Sequence, residues 1–244
     1  MLNRITVCTT IAAMTFVAGA AAQTRYVAVD LGPTSRANAV AGGQRAGYTC
    51  CGLAVVRHAL LWSGSASTET DLHPASAPPG ADSGINAMVA GQQGGFVGAT
   101  AAVWFGTASS YVSIHPSAYV KSTAIGMGDG QIVGAGEVVD PTQPDTTIQH
   151  AVLWTAPSSG SVIDLHPGGG WRSSFAYAAA GGKQVGALAN SSSERAVIWS
   201  GNSKSIIDLQ TRSSSAPSRT GFSASTRSDT ATCTPAALAA PKYS

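Results

Sequence analysis

All five histidines of this chain fall at two recurring positions. His58 and His150 each stand four residues before a tryptophan, while His73, His115 and His166 each follow an aspartate-leucine-like element and precede a proline. Imidazoles repeated once per unit can converge as metal or anion ligands, but zinc needs three or four ligands at about 2 Å. Strand ends on neighbouring units stand farther apart than that, so His and Pro are expected to end a strand and fix its turn, with no metal and no cofactor. The recurring Asp30, Asp71, Asp164 and Asp208 pose the same choice. Glycosidic acid/base chemistry needs two carboxylates roughly 5 to 10 Å apart, whereas an aspartate placed once per unit reads as a turn former accepting backbone N–H groups. Two segments break the repeat and are read as recognition loops: Gly134 to His150, with Glu137, Asp140, Asp145, Pro141 and Pro144, and Gly47 to Arg57, with the cysteine pair. Trp171, after Gly168-Gly169-Gly170, lies outside the repeat register and joins Glu137, Asp140 and Asp145 as a ligand-binding candidate. Trp171 reads either as a stacking platform for a sugar ring or as a core residue. The run from Gly126 to Gly130 is no phosphate loop, because a strand-like stretch follows it where a helix is required. No G-x-S-x-G elbow occurs, and no catalytic residue is assigned.

The elements that must position these residues form a repeat. Tryptophan strands end at Trp62, Trp104, Trp154 and Trp199, spaced by 42, 50 and 45 residues. About ten residues after each comes Thr70-Asp71-Leu72, Val112-Ser113-Ile114, Ile163-Asp164-Leu165 or Ile207-Asp208-Leu209, and a lone copy, Ala28-Val29-Asp30-Leu31, stands ahead of the first. A small-residue-glycine pair reads as Ala46-Gly47, Ala90-Gly91, Val133-Gly134 and Val185-Gly186. Short runs rich in Val, Ile, Thr and Trp, bounded by Gly, Ser, Asn and Pro, predict strands, and Gly128-Asp129-Gly130 predicts a tight hairpin. Each unit then supplies four antiparallel strands, the size of a β-propeller blade. The expected fold is all-β, a small propeller of four to five blades in which the leading strand near Tyr26 to Leu31 completes the last blade. An open β-solenoid or a β-sandwich is the alternative. Units run near 31–72, 72–114, 114–165 and 165–209, and Trp62, Trp104, Trp154 and Trp199 are the expected core anchors.

Outside the repeat, Arg4, the apolar stretch Ile5 to Val17 and the small residues Gly19 to Ala22 have the grammar of a secretory signal over 1–22. A secreted or periplasmic β-repeat domain over 23–210 follows, then a Ser/Thr/Ala/Pro-rich tail over 211–244 whose composition predicts disorder. Signal removal would leave Cys50, Cys51 and Cys233 as disulfide candidates in a compartment that permits them. A net charge of +2 with no basic run excludes nucleic acid as a partner class, and no later stretch is apolar enough to span a membrane.

HALLW and HAVLW, the aspartate-leucine strand that follows each, and Ile85-Asn86 or Ala124-Ile125 before a Gly turn and a Val-Gly pair resemble the HAF-repeat family of secreted bacterial proteins. The resemblance spans roughly Tyr26 to Gln210. The third residue of the name motif is Leu60 or Val152 here, and the His becomes Thr100 and Arg195 in two units. It implies an extracellular β-repeat and no particular reaction. The functional expectation is a non-enzymatic binding or surface-interaction module for an extracellular glycan or surface protein. The alternative is an extracellular hydrolase acting on a polysaccharide or ester.

Overall fold

The computed structural model describes residues 27–49 and 56–210. Over that range the chain is an all-β array of four antiparallel sheets, each of four strands and each built from one continuous stretch of sequence. The first sheet holds β1 (Ser35–Ala41), β2 (Gln44–Thr49), β3 (Ala59–Trp62) and β4 (Glu69–Asp71), and the second β5 (Ser83–Val89), β6 (Gln92–Val97), β7 (Thr100–Trp104) and β8 (Val112–Ser113). The third holds β9 (Lys121–Gly128), β10 (Gln131–Asp140), β11 (Gln143–Trp154) and β12 (Val162–Asp164). The fourth holds β13 (Ser173–Ala180), β14 (Lys183–Ala189), β15 (Glu194–Trp199) and β16 (Ile207–Asp208). Strands pair in chain order in every sheet. The leading strands β1, β5, β9 and β13 pack side by side, each against the next.

Period-two alternation in the tryptophan strands explains how the sheets hold together. In β7, Ala102 and Trp104 face the first sheet, whereas Ala101 and Val103 face the third. In β11, Val152 and Trp154 face the second sheet, and Ala151 and Leu153 the fourth. A strand covered on both faces reads as an unbroken apolar run, hence the AAVW and AVLW stretches. Each sheet junction thus has its own core, made of one tryptophan and one residue of the preceding aspartate-leucine element: Trp104 with Leu72, Trp154 with Ile114, Trp199 with Leu165. All six side chains are fully buried, as is Trp62. The Trp154 indole N–H also donates to the Ile114 carbonyl at 2.8 Å. In the fourth sheet Tyr177 and Val185 are exposed, as is Leu209 just after it.

A bulge recurs in every leading strand. The register skips Asn38 in β1, Asn86 in β5, Ile125 in β9 and Tyr177 in β13. Each bulge drives a carbonyl against the second strand, where only glycine fits. A Cβ at Gly47, Gly95, Gly134 or Gly186 would collide with the carbonyl oxygen of Arg36, Gly84, Thr123 or Phe175. The second unit therefore corrects the sequence reading. Its small-residue-glycine pair is Gly94-Gly95, while Ala90-Gly91 is the hairpin turn between β5 and β6, with Gly91 at φ 78°.

Two further expectations change. Ala28 to Leu31 forms no strand, with Val27 and Val29 exposed, because the fourth sheet is already complete with its own four strands. The Asp30 side chain nonetheless accepts the Gly32 N–H at 2.9 Å, the turn expected of that element. The long third unit is not a loop but a prolonged β10–β11 hairpin turning at Pro141-Thr142. Residues 1–26, where the signal is expected, Cys50, Cys51, Cys233 and the tail over 211–244 lie outside the described residues.

Candidate functional site

At one end of the array, the histidines tie each sheet to the next. The aspartates do form the expected turns: Asp71, Asp164 and Asp208 accept the N–H two residues on, at 2.8, 2.7 and 2.8 Å. The following histidine reaches a buried serine at the start of the next leading strand, His73 to Ser83, His115 to Ser122 and His166 to Ser174, at 2.8, 2.7 and 2.9 Å through Nδ1. Each serine Oγ also accepts a backbone N–H from the tryptophan strand, that of Ala59, Ala101 or Ala151. A hydroxyl that accepts this N–H and donates its own proton to Nδ1 fits a neutral imidazole.

At the first and last junctions a second imidazole joins. His58 Nδ1 lies 2.7 Å from Asp71 Oδ2, and its ring stacks on His73 at 4.1 Å. His150 Nδ1 lies 2.7 Å from Asp164 Oδ2, and its ring stacks on His166 at 4.0 Å. Burial, then the neighbouring imidazole, pushes His73 and His166 below the ordinary 6.5. Burial alone would raise the Asp164 carboxyl, but hydrogen bonds from His150 and the His166 N–H hold it below 3.8. The sequence carried a signal for these partnerships. Where His stands before the tryptophan, Asp stands in the following element; Arg195 comes with Asp208, to which it bonds at 3.1 Å, and Thr100 comes with Ser113.

The lengthened third unit and the off-register Trp171 meet at the last junction. A cavity of about 610 Å³ opens between the prolonged hairpin and the Gly168–Gly170 turn, lined by Asp140, Ile148, His150, His166, Trp171 and Arg172. Trp171 is half-buried, packed against the core of that junction while facing the cavity. Asp140 is buried; its Oδ1 accepts the Thr142 hydroxyl at 2.6 Å and the Thr142 N–H at 2.8 Å, and Arg172 approaches Oδ2 at 3.4 Å. The Thr142 hydroxyl bond, with the Thr142 N–H and the Arg172 charge, keeps this carboxyl below its ordinary range.

Of the four ligand-binding candidates, Trp171 and Asp140 are brought together and Glu137 and Asp145 are not. Glu137 and Asp140 share one strand, whose register turns irregular between Val139 and Asp140, and they line different cavities. Glu137 pairs with Lys121 at 3.3 Å and lines a separate cavity of about 170 Å³ between the second and third sheets. Asp145 is exposed on β11.

Among the described residues no group of three or more His, Cys, Asp and Glu is placed to hold a metal, and no helix is long and apolar enough to cross a membrane. No family model, no curated protein and no solved structure matches this chain.

Proposed function

We propose that this chain is an exported, non-enzymatic binding module of the HAF-repeat kind. Its four sheets would be propeller-like blades about an axis lined by β1, β5, β9 and β13. The observation that carries the reading is the 610 Å³ cavity, which forms at the place where the repeat is interrupted twice and presents an anchored indole beside a few fixed polar groups. Ligand pockets have that make-up: mostly apolar walls with few, well-placed polar atoms. A hydroxylated ring, such as a sugar, suits a half-buried tryptophan flanked by Asp140 and Arg172. The hydrolase alternative needs two carboxylates at one bond, and Glu137 and Asp140 line different cavities.

Calorimetric titration of the full chain with neutral and charged oligosaccharides tests the proposal. Binding that Trp171→Ala removes at a temperature where the variant is still folded is the expected result. Turnover of a glycan or ester that Glu137→Gln or Asp140→Asn abolishes would replace it with the hydrolase. Recovery of the chain outside the cytoplasm with Gln23 as its first residue is the expected mark of export.

A further inference from the structure

The first junction holds a third cavity, of about 440 Å³, lined by Arg36, Asn38, Tyr48, Arg57, Asn86 and Phe96 among others. Its two guanidinium groups differ. Arg57 is neutralised, because its Nη2 and Nε meet Asp82 Oδ2 at 2.8 and 2.9 Å while its backbone N–H donates to Asp82 Oδ1 at 2.9 Å. It also lies 5.6 Å from the ring centres of both Tyr48 and Phe96. Arg36, in contrast, meets no carboxylate among the described residues. Its Nη1 donates to the Tyr48 hydroxyl at 3.3 Å and its guanidinium sits 6.0 Å above the Tyr48 ring, which leaves a positioned positive charge with donors to spare.

The bulge residues supply the opposite polarity. Asn38 Nδ2 donates to the Ile85 carbonyl at 2.9 Å and Asn86 Nδ2 to the Ala124 carbonyl at 2.8 Å. With the amide nitrogens bound to the next sheet, each side-chain oxygen is left to accept. One unneutralised cation, two amide acceptors and two aromatic rings together suit a ligand with one anionic group, several hydroxyls and a partly apolar ring. Phe96 also borders the smaller cavity that holds Lys121 and Glu137, so a neighbouring unit of a longer ligand would have a surface to follow.

We infer that this cavity binds a uronate residue of an acidic oligosaccharide, with Arg36 pairing to the sugar carboxylate and Asn38 and Asn86 accepting sugar hydroxyls. The inference rests on the binding-module reading but places the charged part of the ligand far from Trp171 in the sequence and in a separate cavity.

The test titrates the full chain with hexagalacturonate, its methyl ester and a neutral glucan hexamer, using wild type, Arg36→Gln, Arg36→Lys and Trp171→Ala. Loss of one charge-assisted pair should weaken binding at least about tenfold. That loss is expected for the methyl ester and for Arg36→Gln at unchanged melting temperature, with partial recovery in Arg36→Lys. Equal affinity for acid and ester, or an Arg36→Gln variant as tight as wild type, overturns it. Binding that is lost in Trp171→Ala but not in Arg36→Gln overturns this site and leaves the module reading standing. Silence with every sugar removes both.

Discussion

The middle and last junctions share a core and differ at the rim. Both bury a tryptophan against a preceding Ile or Leu, Trp154 on Ile114 and Trp199 on Leu165. At the rim the middle junction has His115 on Ser122, with Thr100 and Ser113 where the last has His150 and Asp164. The leading strands also meet differently. Asn86 reaches across to the Ala124 carbonyl in the middle, whereas at the last junction Gly126 and Gly128 lie so close to the Tyr177 and Ala179 carbonyls that a Cβ would collide with them. Packing tolerates little variation because a core must be filled. The rim is free to vary, and there the long hairpin, the Gly168–Gly170 turn and Trp171 have gathered.

The largest effect should come from breaking what the junctions share. Trp154→Ala empties the middle core and removes the indole bond to Ile114, at a cost of about 3 to 5 kcal/mol, visible as a collapse of the denaturant midpoint. Unchanged stability would mean that the tryptophans do not hold the sheets together. Next comes Gly128→Ala, which should cost about 1 to 3 kcal/mol through overpacking. The expected damage is confined to the last junction, with amides of β9 and β13 exchanging faster while those of β5 and β6 keep their protection.

Acid should separate the junctions further. The imidazole of His166 is pushed below 6.5 in the fold, so the unfolded chain takes up the proton first. Stability is therefore full above about pH 6.5 and declines as the pH falls from there through the folded-state value; His73 acts in the same sense. Asp164 adds a second loss below 3.8, because its carboxylate is favoured in the fold. Replacing His150 by Thr removes the neighbouring imidazole that helps burial lower His166, and should reduce without abolishing the decline that begins near 6.5, as read from melting temperature against pH. A slope identical to wild type would assign the acid response elsewhere. The smallest effect is expected from Asn86→Ala, about 1 kcal/mol for one bridging hydrogen bond, measured by chemical denaturation.

The period of the tryptophans and of the aspartate-leucine elements was enough to read off four-stranded antiparallel units, because core positions recur with the spacing of the sheets. The second unit's glycine pair was misplaced because Gly91, Gly94 and Gly95 crowd one hairpin, and only the bulge at Asn86 tells a turn glycine from a collision-avoiding one. Ala28 to Leu31 carries the right residues but has no tryptophan strand ahead of it to pair with, a dependence that local composition does not express. At the site, Trp171 stood out because it was off register. The partnership of His150 with Asp164 stayed hidden, since each residue alone had a sufficient local explanation as the end of a strand or the start of a turn. The separation of Glu137 from Asp140 follows from the acidic segment being strand and not loop, with a register irregularity between Val139 and Asp140 that composition does not express.

The chain-order pairing within every sheet bears on how the molecule forms. Hairpin follows hairpin, so no strand waits for a partner from a distant part of the sequence and loop-closure costs stay small. Each finished sheet offers an apolar face on which the next can condense, and coupling passes only between neighbours, as in solenoid repeats. Assembly can therefore spread from any finished sheet to its neighbour as a zipper does, and the first and fourth sheets, each with one neighbouring sheet among the described residues, are the first to detach.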